Sequence, residues 1–264
     1  MSIVFHERPA LVAYLTCGDP NLEITRETAL AAIDAGAAAI ELGVPFSDPV
    51  ADGPVIQRAS ERALRNDMTL AKVLELGHDL RRHSSAGLIV FSYLNPILQF
   101  GLDRFCAVAA DAGIDGAIIT DLPAEEAGKY IECMRSRDLA TIFLAAPTTS
   151  DRRLKRIAGA CRGFVYAVSR TGVTGERDQM TQDARELVSR LRKWTDLPVA
   201  LGFGISNAQH FATVGEFADA AVIGSAIVHT MEQNPCREAE AVRQFVAGLR
   251  RAATAKVRQS AGLT

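Results

Sequence analysis

Glu41, Asp48 and Asp52 fall in one short stretch, Glu41-Leu-Gly-Val-Pro-Phe-Ser-Asp-Pro-Val-Ala-Asp-Gly-Pro54. An apolar run, Ala38–Leu42, leads into it and reads as a buried strand. Glu41 falls within or at the end of that strand, and three prolines stiffen the segment beyond it. Carboxylates held at a strand end suit proton transfer. If Glu41 points into an apolar interior, desolvation raises its pKa and makes it a proton donor and acceptor near neutrality. Asp52 precedes Gly53, so it is either a second working carboxylate or an ordinary turn residue. Asp48 precedes Pro49 and reads as loop scaffolding. Asp19 and Asp121 follow the first and fourth apolar runs and could cap a turn or brace a loop.

The elements that must hold these acids alternate along the chain. Eight short apolar runs read as parallel strands buried on both faces: Leu11–Thr16, Ala38–Leu42, Leu88–Tyr93, Gly116–Thr120, Ala140–Leu144, Phe164–Val168, Pro198–Leu201 and Ala220–Ile223. Helical stripes lie between them, such as Ala127, Tyr130, Ile131 and Met134; Ala184, Leu187, Val188 and Leu191; and Val242, Phe245, Val246 and Leu249. Eight β-α units without a linker predict a single (β/α)8 TIM barrel across residues 1–264, with strand one beginning near 11 and a C-terminal helix over 235–257. A doubly wound sheet is the rival. It lacks its G-x-G-x-x-G after strand one. In a barrel the active site lies at the C-terminal strand ends.

Glycines punctuate three consecutive loops there: Ser169-Arg-Thr-Gly-Val-Thr-Gly175, Gly202-Phe-Gly-Ile-Ser206 and Gly224-Ser225. Glycine lets backbone N–H groups approach an anion. Gly224-Ser225 should open a short helix whose N-terminus favours phosphate. Three tight turns are the plainer alternative. The polar segment Arg170–Met180 is long for such a loop and could serve as a lid.

Composition narrows the classes. The 264 residues are 48% hydrophobic with a net charge of −2, which recommends neither nucleic acid nor an anionic membrane as a partner. No run has the length of a signal peptide or a membrane span, so a cytoplasmic protein is expected. Five scattered cysteines favour reduced thiols, and the five histidines show no metal-ligand spacing. Lys129, Lys155 and Lys193 read as helical rather than strand-end residues, which disfavours an imine-forming lysine.

With these residues in view, the chain closely resembles the tryptophan synthase alpha subunit family from about Leu11 to Val228. The stretch Glu41–Gln57 carries the likeness, with Thr16-Cys-Gly-Asp-Pro20, Tyr93-Leu-Asn-Pro96, Asp121-Leu-Pro123, Ser169–Gly175 and Gly202–Ser206 in order. The resemblance implies retro-aldol cleavage of indole-3-glycerol phosphate to indole and glyceraldehyde 3-phosphate. It implies that Glu41 is the acid–base and that Asp52 accepts the indole N–H. Tyr166, Thr174, Gly175, Phe203, Gly204, Gly224 and Ser225 match substrate-binding positions, and Asp121 matches a loop that communicates with a partner. That partner is a beta chain in an α2β2 complex; pyridoxal phosphate belongs to it, and this chain needs no cofactor or metal. Family members carry a longer helix before strand one. Here about nine residues precede it, which puts the usual plug at the barrel bottom in doubt and bears on stability more than on chemistry. The alternatives are a stand-alone lyase releasing free indole, a non-catalytic activator of the beta chain, and a related phosphate-binding barrel isomerase, which the Glu41–Pro54 stretch disfavours.

Overall fold

The computed structural model describes residues 5–168, 177–202 and 204–260, with backbone alone for 177–180 and 254–260. Among them nine parallel strands form one sheet: β1 (Ala10–Thr16), β2 (Ala39–Gly43), β3 (Gly87–Ser92), β4 (Gly116–Ile119), β5 (Ala140–Ile142), β6 (Leu144–Ala145), β7 (Val165–Val168), β8 (Val199–Gly202) and β9 (Ala220–Ile223). Their order is β5-β4-β3-β2-β1-β9-β8-β7-β6. The two ends, β5 and β6, are consecutive in the chain, so the sheet curls into a nearly closed TIM barrel.

The expected fifth strand is therefore two. The break falls at Phe143, whose N–H points to Cys161 Sγ at 3.4 Å instead of a backbone carbonyl. One half pairs with β4 and the other with β7. The remaining strands lie within a residue or so of their expected bounds.

Side chains alternate along each strand between the barrel interior and the helices. Val12, Ala39, Ile89, Ile118, Phe164, Ala200 and Val222 fill the interior. Leu11, Leu15, Ile40, Leu42, Leu88 and Val90 face outward into the larger core. The three helical stripes join that outer core, at Tyr130, Met134, Leu187, Leu191, Val242 and Leu249 among others. Each fully buried branched side chain stabilises the fold by roughly 1.5–3 kcal/mol. The C-terminal helix runs Glu238–Ser260, displaced by three residues from its expected span.

Toward the barrel bottom, the short segment before β1 contributes one aromatic contact among the described residues. Phe5 packs its ring on Phe164 with centroids 5.6 Å apart and joins the interior cluster. Among the described residues, this ring covers part of the barrel interior at the end away from the strands' C-termini.

Candidate active site

Glu41 sits on β2, two residues beyond Ala39, and shares its inward direction. Its neighbours across the sheet are Tyr14 on β1 and Ile89 on β3. The side chain is 0% exposed, and neither carboxylate oxygen has a hydrogen-bond partner among the described residues. A buried carboxylate without donors is costly to ionise. Burial pushes the Glu41 pKa up to about 8. The group is poised to hold a proton near neutrality and to release it.

Two phenols crowd this acid. Tyr14 is buried on β1, and Thr16 Oγ1 donates to its hydroxyl at 3.4 Å. A Cβ added at Gly43 would lie 2.3 Å from Tyr14 Oη, so glycine there makes room for the phenol. Tyr166, half-buried on β7, likewise occupies the space beside Gly202. Burial, followed by the Asp52 and Glu41 carboxylates, pushes Tyr14 well above the usual phenol range. Burial followed by Glu41 does the same to Tyr166. Both remain protonated donors.

Asp52 lies in the loop after β2, just before the helix Pro54–Arg65. Its Oδ2 accepts the Tyr93 hydroxyl at 3.0 Å, and Gln57 Nε2 donates to its carbonyl at 2.9 Å. Burial raises its pKa, and the Tyr93 hydrogen bond opposes that rise. Asp48 is exposed and bonded to its neighbour Ser47, as a turn residue would be. The two aspartates of this loop therefore differ in the fold: Asp52 is part-buried and held by Tyr93, and Asp48 is exposed.

Across the mouth, Gly224 caps the helix Ser225–Glu232. The first N–H groups of any helix lack intrahelical acceptors and can receive an anion. Gly204, after β8, is exposed on the same rim. Thr174, Gly175 and Phe203 lie outside the described residues, as does most of the expected Arg170–Met180 lid. Its last residues, from Arg177, belong to the helix Arg177–Leu191.

Asp19 is no mere turn residue. It is 3% exposed and takes a two-pronged ion pair from Arg62 at 2.7 and 2.9 Å. Asp121 accepts the Leu94 N–H at 2.7 Å and ties the loop after β4 to the helix following β3. Lys129 and Lys155 are helical, and Lys193 lies in the turn after Leu191 rather than on a helix; none stands at a strand's C-terminal end. Sequence reasoning missed Tyr14, Tyr93 and Arg62 as site residues. A phenol two residues beyond inward Val12 was a usable signal for Tyr14. Nothing local marks Tyr93 or Arg62, whose partners are 41 to 170 residues away. Among the described residues no helix is long and apolar enough to cross a membrane.

Comparison with known proteins agrees with this geometry. A family model described as tryptophan synthase alpha chain matches residues 3–257. The tryptophan synthase alpha chain of Solibacter usitatus is 52% identical over 227 residues, 86% of this chain and 85% of that one. That of Methylococcus capsulatus is 44% identical over 90% of both. The tryptophan synthase complex of Pyrococcus furiosus contains a chain that superposes with a TM-score of 0.84 at 37% identity, covering 92% of this chain and 98% of that one.

Proposed function

This chain belongs to the tryptophan synthase alpha chain family, and we propose that Glu41 and Asp52 divide the chemistry of its reaction between them. The reaction is a lyase step of tryptophan biosynthesis, cleavage of indole-3-glycerol phosphate to indole and glyceraldehyde 3-phosphate. The observation that carries the division of labour is the Glu41 carboxyl, wholly buried and without a donor among the described residues to stabilise its charge.

Protonated Glu41 gives its proton to indole C3, leaving a cationic indolenine. Asp52, hydrogen-bonded by Tyr93, accepts the indole N–H and stabilises the positive charge on nitrogen. The Glu41 carboxylate then takes the proton of the adjacent glycerol hydroxyl. The carbon–carbon bond breaks, its electron pair returns to the ring, and the carbonyl of glyceraldehyde 3-phosphate forms. One carboxyl thus acts twice and ends as it began. The Ser225–Glu232 helix N-terminus and Gly204 receive the phosphate in this mechanism, and Thr174, Gly175 and Phe203 complete the pocket. Tyr166 stands beside the acid.

A beta chain is the expected partner, in an α2β2 assembly, and the Pyrococcus furiosus complex supports the pairing. Pyridoxal phosphate would reside in that partner, and no step of the cleavage uses it. A cytoplasmic setting suits this pathway. The presence of both carboxylates weighs against a non-catalytic activator. The test is indole release from indole-3-glycerol phosphate, measured with and without the beta chain, for the wild type and Glu41→Gln. Wild-type turnover in Glu41→Gln would remove Glu41 from the mechanism. High wild-type turnover without the beta chain would favour a stand-alone lyase.

A further inference from the structure

We propose that Arg62 is a positioning residue that fixes the helix leading away from Asp52 against the helix that receives the phosphate, and so sets the span between the two ends of the substrate site. The inference rests on the proposed function for which end of the site does what. Its own basis is a clamp of charges joining three elements at the mouth.

Arg62 places Nε and one terminal nitrogen on the two oxygens of Asp19, and its other terminal nitrogen on Glu232 Oε1 at 3.2 Å. Arg58, one turn earlier on the same helix, reaches Glu232 at 3.1 and 3.2 Å. Asp19 follows β1, and Glu232 ends the helix Ser225–Glu232. An acid at a helix C-terminus opposes the helix dipole. Within its own helix Glu232 meets the exposed His229 Nδ1 at 3.7 Å; its hydrogen bonds come from the two arginines. Asp19 is sheltered from water, which strengthens a forked, charge-assisted pair and makes its loss costly.

Under the clamp lies a small apolar seam of Tyr14, Ala59 and Val228, with Val55 and Ile56 beside it. Apolar contacts of this kind are non-directional, so they hold the two helices together without fixing their register. A planar guanidinium forked onto a buried carboxylate is directional and does fix it. The helix Pro54–Arg65 has no side-chain cap at Gly53, so the approach of Asp52 is governed by where that helix is docked and by Tyr93.

The test compares Arg62→Met and Arg62→Lys with Arg153→Met, which breaks an exposed ion pair with Glu125 elsewhere. Turnover and KM for indole-3-glycerol phosphate are measured, with the Kd for glycerol 3-phosphate and the melting temperature. Arg62→Met should lower kcat about tenfold and raise the Kd for glycerol 3-phosphate about fivefold, within the range that ångström-scale misplacement produces. Arg62→Lys keeps the charge without the fork and should recover part of the Kd but little of kcat. Arg153→Met should change neither. Lowered melting temperatures with wild-type kcat and Kd in both Arg62 variants would make Arg62 a strut only and overturn the proposal. If Arg62→Met does not fold, Arg62→Lys carries the same readouts. A wild-type chain that releases no indole would instead defeat the proposed function beneath.

Discussion

Tyr93 donates its hydroxyl proton to Asp52 Oδ2 at 3.0 Å and accepts the Ala51 N–H at 2.9 Å. One phenol thus holds both the carboxylate and the peptide unit before it. Its ring packs on Phe46, at the start of the same loop, with centroids 5.0 Å apart. The loop between Phe46 and Asp52 is otherwise largely exposed, with Val50 at 87%. Its conformation is therefore set from outside, by Tyr93 beyond a neighbouring strand and by Gln57, which donates to the Pro49 and Asp52 carbonyls at 3.4 and 2.9 Å.

Tyr93→Phe keeps the ring and removes the hydroxyl. Asp52 loses its orienting donor and the hydrogen bond that holds its pKa down. The expected result is a folded chain with kcat reduced roughly ten- to a hundredfold, about the 1.5–3 kcal/mol of a hydrogen bond made to a charged group. The acidic limb of kcat/KM should also move to higher pH, because Asp52 must be ionised to stabilise the cation. An unmoved limb and unchanged kcat would leave Asp52 positioned by its helix alone.

Glu41→Gln preserves shape and removes the exchangeable proton. Cleavage should fall by about 10²–10⁴-fold, the usual contribution of a positioned acid–base group. Binding of glycerol 3-phosphate should persist, since the phosphate helix lies on another strand. Loss of both together would point to collapse of the site instead of loss of chemistry.

Burial of Glu41 also makes stability depend on pH. Its carboxyl is protonated up to about 8 in the fold, against an ordinary value of 4.5. The folded state holds this proton more tightly, so the contribution is fully present below about 4.5 and is lost as pH rises through about 8. The interval corresponds to an upper bound of roughly 5 kcal/mol. Glu41→Gln cannot ionise. Its melting temperature should therefore gain on the wild type between about pH 4.5 and 8 and level off above, as thermal unfolding across that range would record. A constant difference would mean that Glu41 is solvated in the fold.

The barrel was legible because its strands are apolar on both faces and evenly spaced. The break at Phe143 was not, since it depends on a cysteine 18 residues away competing for one N–H. Glu41 stood out for a related reason: a carboxylate inside an apolar run contradicts its surroundings, whereas Asp52, in a turn before Gly53, could not be told from an ordinary turn residue by its neighbours alone. The parts that aim them were hidden. Tyr93 finds Asp52 across 41 residues, and Arg62 finds Glu232 across 170. Such pairings follow from barrel closure, and no local periodicity records them. Phe5 shows the converse: nine residues put the plug at the barrel bottom in doubt, yet one ring on Phe164 packs there.

Gly224→Asp separates charge from bulk at the phosphate end. A Cβ at Gly224 would meet Tyr14 at 3.5 Å and Ile56 at 3.6 Å, both ordinary contacts. The backbone there has φ −109°, which any residue adopts. Gly224→Ala should therefore bind substrate nearly as the wild type does. Gly224 has ψ −81°, outside the extended region from which a capping side chain reaches the first helical amides, so aspartate gains no cap bond there and the fold should keep about its present stability. Yet its charge would stand where the phosphate dianion must approach, and like charges a few ångströms apart repel by roughly 4 kcal/mol near a protein surface. KM should rise at least about tenfold in Gly224→Asp, with the melting temperature little changed. Equal KM values in the two variants would place the phosphate elsewhere on the rim.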